Sequence, residues 1–261
     1  MKQKKYIILL LPSFMGIIVL YIIPFIYVIY YSLVNNAFTN KFVGFDNYIS
    51  VWNNEYFRLA LKNTGRFMLT AVPLIMLYSI ILSLAIAYLS RWLRFLKSAF
   101  FLSIVLPSSA ITLVWNLYFS QCPPFESLLV IYLWKYSGFT IMILTTALAR
   151  MDAAQQEAAQ IDGAGIFRRT FYITLPNIIP ALLFSFILSI VSAFKIYRES
   201  YLLYGYYPDD SVYMLQNYLN NHFMKLNYQN ISTAALSFSV LLYVIIAAVL
   251  LLEKKWRDSV E

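Results

Sequence analysis

Apolar residues fall in blocks of about twenty, separated by shorter polar segments. After Lys2, Lys4 and Lys5 a first block covers 6–31, and five more cover 67–89, 98–119, 128–149, 178–197 and 233–252. Each is close to the ~20 residues that a helix needs to cross ~30 Å of hydrocarbon. The first block is too long for the ~7–15 residue core of a secretory leader and has no small-residue cleavage site after it, so it reads as an uncleaved span. The pattern predicts an all-α polytopic membrane protein: six transmembrane helices in a single domain over 1–261, with both termini on the same side.

Composition and charge sharpen this picture. Of the 261 residues, 61% are hydrophobic and 12% charged, about half the ~25% charged content of soluble domains, which excludes a soluble single domain. Twenty Lys and Arg against twelve Asp and Glu give +8. With the N-terminus inside, Lys2, Lys4, Lys5, Arg91, Arg94, Lys97, Arg150, Arg168, Arg169, Lys254, Lys255 and Arg257 are cytoplasmic; the outer segments hold Lys41, Arg58, Lys62, Arg66, Arg198 and Lys225. This two-to-one bias favours N-in, C-in, and makes the positive charge an orientation signal rather than a nucleic-acid surface. The lone Cys122 permits no internal disulfide, and no His/Cys cluster has metal-ligand spacing. None of the seven glycines belongs to a GxxxxGK[ST] phosphate loop, so any ATP chemistry belongs to another polypeptide. The six blocks contain no Asp, Glu or His. That argues against a proton-coupled carrier and against a membrane-embedded lipid enzyme, both of which need such groups at membrane depth.

Candidate chemistry lies in three places. Pro107-Ser108-Ser109 interrupts the third span, where proline removes a backbone hydrogen bond that a neighbouring helix or polar cavity must replace. Beyond it, Thr112, Trp115 and Asn116 share one helical face, suited either to hydrogen bonding and stacking a sugar or to helix packing and interface anchoring. In the fifth span Ser185, Ser189 and Ser192 form a stripe near Lys195, which reads as close helix packing or as pore lining. Ser108, Thr112, Trp115, Asn116, Ser192 and Lys195 are the candidate substrate path. Lys135 and Lys195 both sit within reach of the outer surface by snorkelling. In the outer segment 198–231, Val212, Leu215, Leu219, Phe223 and Leu226 recur at helical spacing, predicting a surface helix.

The cytoplasmic segment 150–177 carries the most specific pattern. Asp152 is a good N-cap with Gln155 at capping-box spacing, the alanines and glutamines that follow are strong helix formers, and Gly163 can end the helix in the left-handed conformation. The prediction is a helix of about nine residues, ~13 Å long. Across the segment the pattern is Glu157-Ala158-Ala159, three residues, Gly163, nine residues, Ile173, one residue, Leu175-Pro176. Seven fixed residues at ordinary usage match such a pattern by chance on the order of once in 10⁵ to 10⁶ chains of this size.

That spacing resembles the EAA loop of binding-protein-dependent ABC importer permeases. Val43 to Tyr48, Lys62-Asn63-Thr64, Leu106-Pro107, Trp115, Trp134, Gly138-Phe139 and Ile161-Asp162-Gly163-Ala164 extend the likeness to the carbohydrate type, similar to the first inner-membrane subunit of maltose and glycerol-phosphate importers. The resemblance implies the type I importer permease fold in the bacterial cytoplasmic membrane, and a non-enzymatic subunit moving a sugar, or another solute, by alternating access. It implies a second permease subunit, two ATPase subunits holding ATP and Mg, and an extracellular solute-binding protein. Glu157, Ala158, Ala159, Asp162 and Gly163 would meet the ATPase. One departure is the short connection between the third and fourth spans, 120–127, where such permeases usually carry a longer outer segment.

Overall fold

The computed structural model describes residues 2–36, 39–88, 100, 102–103, 105–119 and 121–257. These residues are mostly helical, and no strand occurs among them beyond an isolated antiparallel bridge between Val34 and Phe42. Five helices among the described residues are long and apolar enough to cross a membrane: Leu10–Ser32, Glu55–Tyr88, Pro124–Ala149, Ile179–Tyr204 and Tyr228–Leu251. The block 98–119 lies partly outside the described residues; its described helix, Ser108–Phe119, is 12 residues long.

The chain divides into two compact units. The first comprises Met1–Ala60 and Leu215–Ile245. Helices α1 (Lys2–Ile17) and α2 (Ile23–Ser32) are joined by a π-helical turn, Ile18–Ile22, in which the Ile23 amide reaches back five residues to the Ile18 carbonyl. The turn precedes Pro24, whose missing N–H breaks the regular ladder at that point. Next, Gly44 takes φ +59 in a tight turn, and α3 (Asp46–Asn53) follows. Asn47 Nδ2 donates to the carbonyls of Ser32 (2.9 Å) and Val34 (2.8 Å), and the Tyr48 hydroxyl donates to Ser32 Oγ (3.0 Å). The segment 43–48 thus pins the end of α2.

Helix α4 (Glu55–Tyr88) starts well before the expected 67. Asn54 caps it, its side-chain oxygen accepting the Phe57 amide at 3.0 Å. Phe57, Ala60, Phe67 and Ala71 are all buried at helical spacing, but the interleaved Arg58, Lys62, Asn63 and Arg66 hide that face from a hydropathy average. The surface helix is α12 (Leu215–Met224). Its buried face is Leu215, Asn217, Tyr218 and Asn221, whereas Phe223 and Leu226 are exposed, so the expected stripe is rotated. Phe57 and Tyr218 rings meet edge to face at 5.5 Å, and tertiary packing of aromatics decides the face.

The second unit comprises Leu61–Met214 and Ile246–Glu261. It holds the rest of α4, then α5 (Ser108–Phe119), α6 (Pro124–Ala149), α7 (Ala153–Ile161), α8 (Ile166–Arg169), α9 (Leu175–Asn177), α10 (Ile179–Phe194) and α11 (Tyr197–Tyr204). Helix α13 (Tyr228–Arg257) contributes to both units. The helix over the expected block 128–149 begins at Pro124, since proline is well placed in a first helical turn. Phe67 packs edge to face on Phe125 (5.9 Å) and Tyr132 (5.7 Å), and the Tyr132 hydroxyl donates to the Ser189 carbonyl at 2.8 Å, tying α6 to α10. Ser185 and Ser189 are buried, with Ser189 Oγ donating to the Ser185 carbonyl at 2.8 Å. Their small size lets the two helices approach.

Asn63, in the segment Lys62-Asn63-Thr64, ties a distant turn to α4. Its buried Nδ2 donates to the carbonyls of Asp210 (2.6 Å) and Tyr213 (2.9 Å), fastening the turn Asp210–Val212 to α4. Within that turn the Asp209 carboxyl lies below its ordinary pKa because it accepts from Ser211. Asn63→Leu, of similar size but with no donor, is expected to cost ~1–3 kcal/mol, the penalty of carbonyls left unpaired. A lowered thermal midpoint in detergent checks this.

Candidate functional site

The segment 150–177 folds as its sequence dictates. Asp152 caps α7, accepting the Ala154 amide at 2.9 Å, and the helix runs Ala153–Ile161. Gln155 does not reach back to complete the capping box; its Oε1 accepts from Asn177 Nδ2 at 3.1 Å. Gly163 takes φ +78, and the Ala164 amide donates to the Ala159 carbonyl at 2.9 Å. That is a Schellman closure, for which glycine is the favoured residue.

One side of α7 is held to the protein. Gln156 Nε2 donates to Thr174 Oγ1 (3.0 Å), which hydrogen-bonds the Tyr88 hydroxyl (2.7 Å) at the end of α4, and Arg169 Nη1 donates to Gln160 Oε1 (3.3 Å). The free side presents Glu157, Ala158, Asp162 and Gly163 to solvent, with Ala159 half-buried between. Glu157 also borders a cavity of about 270 Å³ lined by Tyr88, Met151, Gln156 and Thr174. Beside this acidic, slim helix stand Ile161 (86% exposed), Phe167 (80%), Phe171 (63%) and Tyr172 (78%). Several large apolar side chains open on one segment mark a surface made to be covered.

The exit from this segment repeats the device seen in the first span. A π-helical turn, Thr170–Thr174, in which the Leu175 amide reaches the Thr170 carbonyl, comes just before Pro176. The missing proline N–H is absorbed there, and the chain bends at Ile178 into α10.

The second candidate region lies where α5, α6 and α11 meet. Within the expected third span the helix is broken at Leu106-Pro107, and α5 begins at Ser108. Ser108 Oγ donates to Glu199 Oε1 at 2.9 Å, and the Lys135 ammonium lies on both Ser108 Oγ and Glu199 Oε1. Their side chains are 11% (Lys135) and 3% (Glu199) exposed, so this is a buried ion pair shared by three helices, α5, α6 and α11. Lys135 therefore does not snorkel. Nor does the acid-free reading of the spans stand: the apolar helix run that starts at Ile179 continues to Tyr204 rather than stopping at 197, and brings Glu199 inside.

The other expected path residues are not gathered into one surface. Thr112 is buried, and its hydroxyl donates to the Ser108 carbonyl of its own helix at 2.7 Å. Trp115 is half-buried, stacked on Phe119 (5.2 Å) and edge-on to Trp134 (5.5 Å). Asn116 is exposed, Ser192 half-buried, and Lys195 exposed at the break between α10 and α11. Of the six, the structure brings only Ser108 to the ion pair, and neither Lys135 nor Glu199 was among them.

Residues 79–258, a stretch that includes the loop helix and the ion pair, match the family of binding-protein-dependent transport system inner membrane components. The chain belongs to this family. This inner membrane component is 26% identical over 182 residues to a probable ABC transporter permease protein of Mycoplasma pneumoniae, covering 60% of the chain and 55% of the relative. It is 27% identical over 190 residues to the arabinooligosaccharides transport system permease protein AraP of Halalkalibacterium halodurans, covering 62% and 59%. The matched stretches thus span little more than half of either relative. Over 97% of the chain and 96% of the other, with a TM-score of 0.78 and 19% identity, its fold is that of a crystal structure of a bacterial ABC transporter involved in the import of the acidic polysaccharide alginate.

Proposed function

We propose that this inner membrane component is the permease subunit of an ATP-driven importer that carries a sugar or oligosaccharide across the bacterial cytoplasmic membrane. It works as one permease domain of six spans, N-in and C-in, paired with a second permease, two ATPase subunits and an extracellular solute-binding protein. ATP and Mg are held by the ATPases. The observation that carries this reading is the loop helix: Glu157, Ala158, Asp162 and Gly163 stand exposed on a rigidly capped α7 beside uncovered Ile161 and Phe167. An acidic helix rimmed by apolar side chains suits a groove in another protein, with burial of the rim supplying affinity and Glu157 supplying register.

Rotation or closure of the ATPases would pull α7. Gln156, Thr174 and Tyr88 would pass that displacement to α4, and the Thr170–Thr174 turn to α10. Solute released outside would then meet a path near the break at Pro107, where Trp115, Asn116, Ser192 and Lys195 are the residues proposed to face it, with Ser108 and Thr112 buried behind them. Alternating access follows if each ATP state favours one opening. The relatives' names, which include an arabinooligosaccharide system, favour carbohydrate over the second in-class reading, a non-sugar solute.

The test is uptake by inverted-free membrane vesicles carrying the chain with its co-purifying subunits. ATP-dependent accumulation of labelled neutral oligosaccharides in the presence of the binding protein is expected. Accumulation of amino acids or glycerol phosphate instead, with no sugar uptake, would replace the substrate assignment; uptake that ignores ATP would remove the importer reading.

A further inference from the structure

The buried Ser108–Lys135–Glu199 cluster lies outside the segment 150–177 and is not a solvated face. Three features make it an anchor. Glu199 lies at the N-terminus of α5, where Ser108 is the first helical residue, so the carboxylate faces the positive end of that helix as well as the Lys135 ammonium. Each of the three members of the cluster comes from a different element: α5 follows the break at Pro107, α6 is continuous through Lys135, and α11 follows the break at Lys195–Ile196. Helix α5 also packs directly on α11. The two interrupted helices are therefore held to the unbroken one by charge, at the point where their backbones are least constrained.

We propose that Glu199 is a positioning residue that, through Lys135 and Ser108, locks α5, the outer half of α6 and α11 into one body that moves as a unit during transport. A buried charge pair suits this role because it tolerates neither a sideways slip nor partial separation in a low-dielectric setting, whereas apolar packing permits sliding. Among the described residues Glu199 Oε2 and Ser200 Oγ find no partner, so the lock is closed through Oε1 alone, with Lys135 the only charged group on it and the Ser108 hydroxyl the other donor. The inference rests on the importer reading only for what the movement accomplishes.

Spin labels at the exposed Leu113 on α5 and Leu202 on α11, in a Cys122→Ser background, report the lock directly. The full chain with its co-purifying subunits is measured by pulsed electron resonance in lipid nanodiscs, with and without ATP. One narrow distance, the same in both conditions, is expected. In Lys135→Met/Glu199→Gln, which removes both charges together, the distribution is expected to widen at least two-fold or to shift with ATP, while Lys135→Arg keeps it narrow. An unchanged narrow distribution in the double variant overturns the lock. So does a distance that moves with ATP in the unsubstituted chain, a measurement that needs no variant to fold. If the importer reading fails instead, uptake is lost but the distances stay as expected.

Discussion

Reversing the charge at Glu157 is expected to reduce transport-coupled ATP hydrolysis by roughly 30-fold or more while the chain still inserts and folds. The structure separates these two effects. The Glu157 carboxylate is exposed and accepts no hydrogen bond among the described contacts that hold α7, which run through Asp152, Gln155, Gln156 and Gln160. Glu157→Lys therefore leaves the helix cap and its ties to Thr174 intact. In the proposed complex the same carboxylate is buried against an ATPase, where replacing an anion by a cation turns a paired charge into a like-charge clash; losing one partner of a buried pair costs ~2–5 kcal/mol, a factor of about 30 to several thousand in association. ATPase activity measured with the assembled transporter, alongside detergent stability of the isolated chain, separates the outcomes. Unchanged coupling at unchanged stability would remove Glu157 from the interface; a fall in both would make it a folding residue.

How much of this was legible before the structure depends on the range of the forces involved. The loop helix was readable almost residue by residue, because capping, alanine propensity and a left-handed glycine are local effects: Asp152, the nine-residue helix and Gly163 all fell where their chemistry put them. Even there Gln155 turned to Asn177, a partner 22 positions away. Span ends were less readable. Hydropathy places a boundary where polar residues begin, yet α4 starts at Glu55 and the fifth span continues to Tyr204, because a helix with one buried face carries charges on the other without ending. The rotated face of α12 shows the same limit, since Tyr218 outcompetes Leu219 and Phe223 through an aromatic contact that lies far off in sequence.

The ion pair was the largest omission, and a signal for it existed. Lys135 sits well inside a span, too deep for an unpaired ammonium to be cheap, which demands a counter-charge on a neighbouring helix. Glu199, two positions beyond the predicted end of the fifth span at 197, was the natural candidate, but assigning it to an outer loop took it out of consideration. Its position follows from the continuation of the helix through the Lys195–Ile196 break, which no periodicity announces.

Removing only one member of that pair is expected to destabilise the protein severely. Lys135→Ala leaves the Glu199 carboxylate, 3% exposed, with a single hydroxyl donor from Ser108 and the α5 terminus for compensation. Breaking a buried pair by deleting one partner costs ~3–5 kcal/mol, a large part of the ~5–15 kcal/mol that holds a protein folded. Glu199→Ala is expected to do the same in reverse, stranding an ammonium that snorkels only by tearing Lys135 out of its packing. Lys135→Met/Glu199→Gln strands no charge, keeps the shape of both side chains and leaves Ser108 an amide oxygen to donate to; its stability is expected within ~1 kcal/mol of the parent, since replacing both members of a buried pair is often neutral. Denaturation in detergent of Lys135→Met, Glu199→Gln and their double variant, a cycle built from the same two substitutions, gives the coupling energy. Strict additivity, with the double variant as unstable as the two losses summed, would show that Lys135 and Glu199 do not interact in the membrane. A strong positive coupling would show that the pair is retained for what it holds in place and not for the stability it adds, since the neutral version folds as well without it.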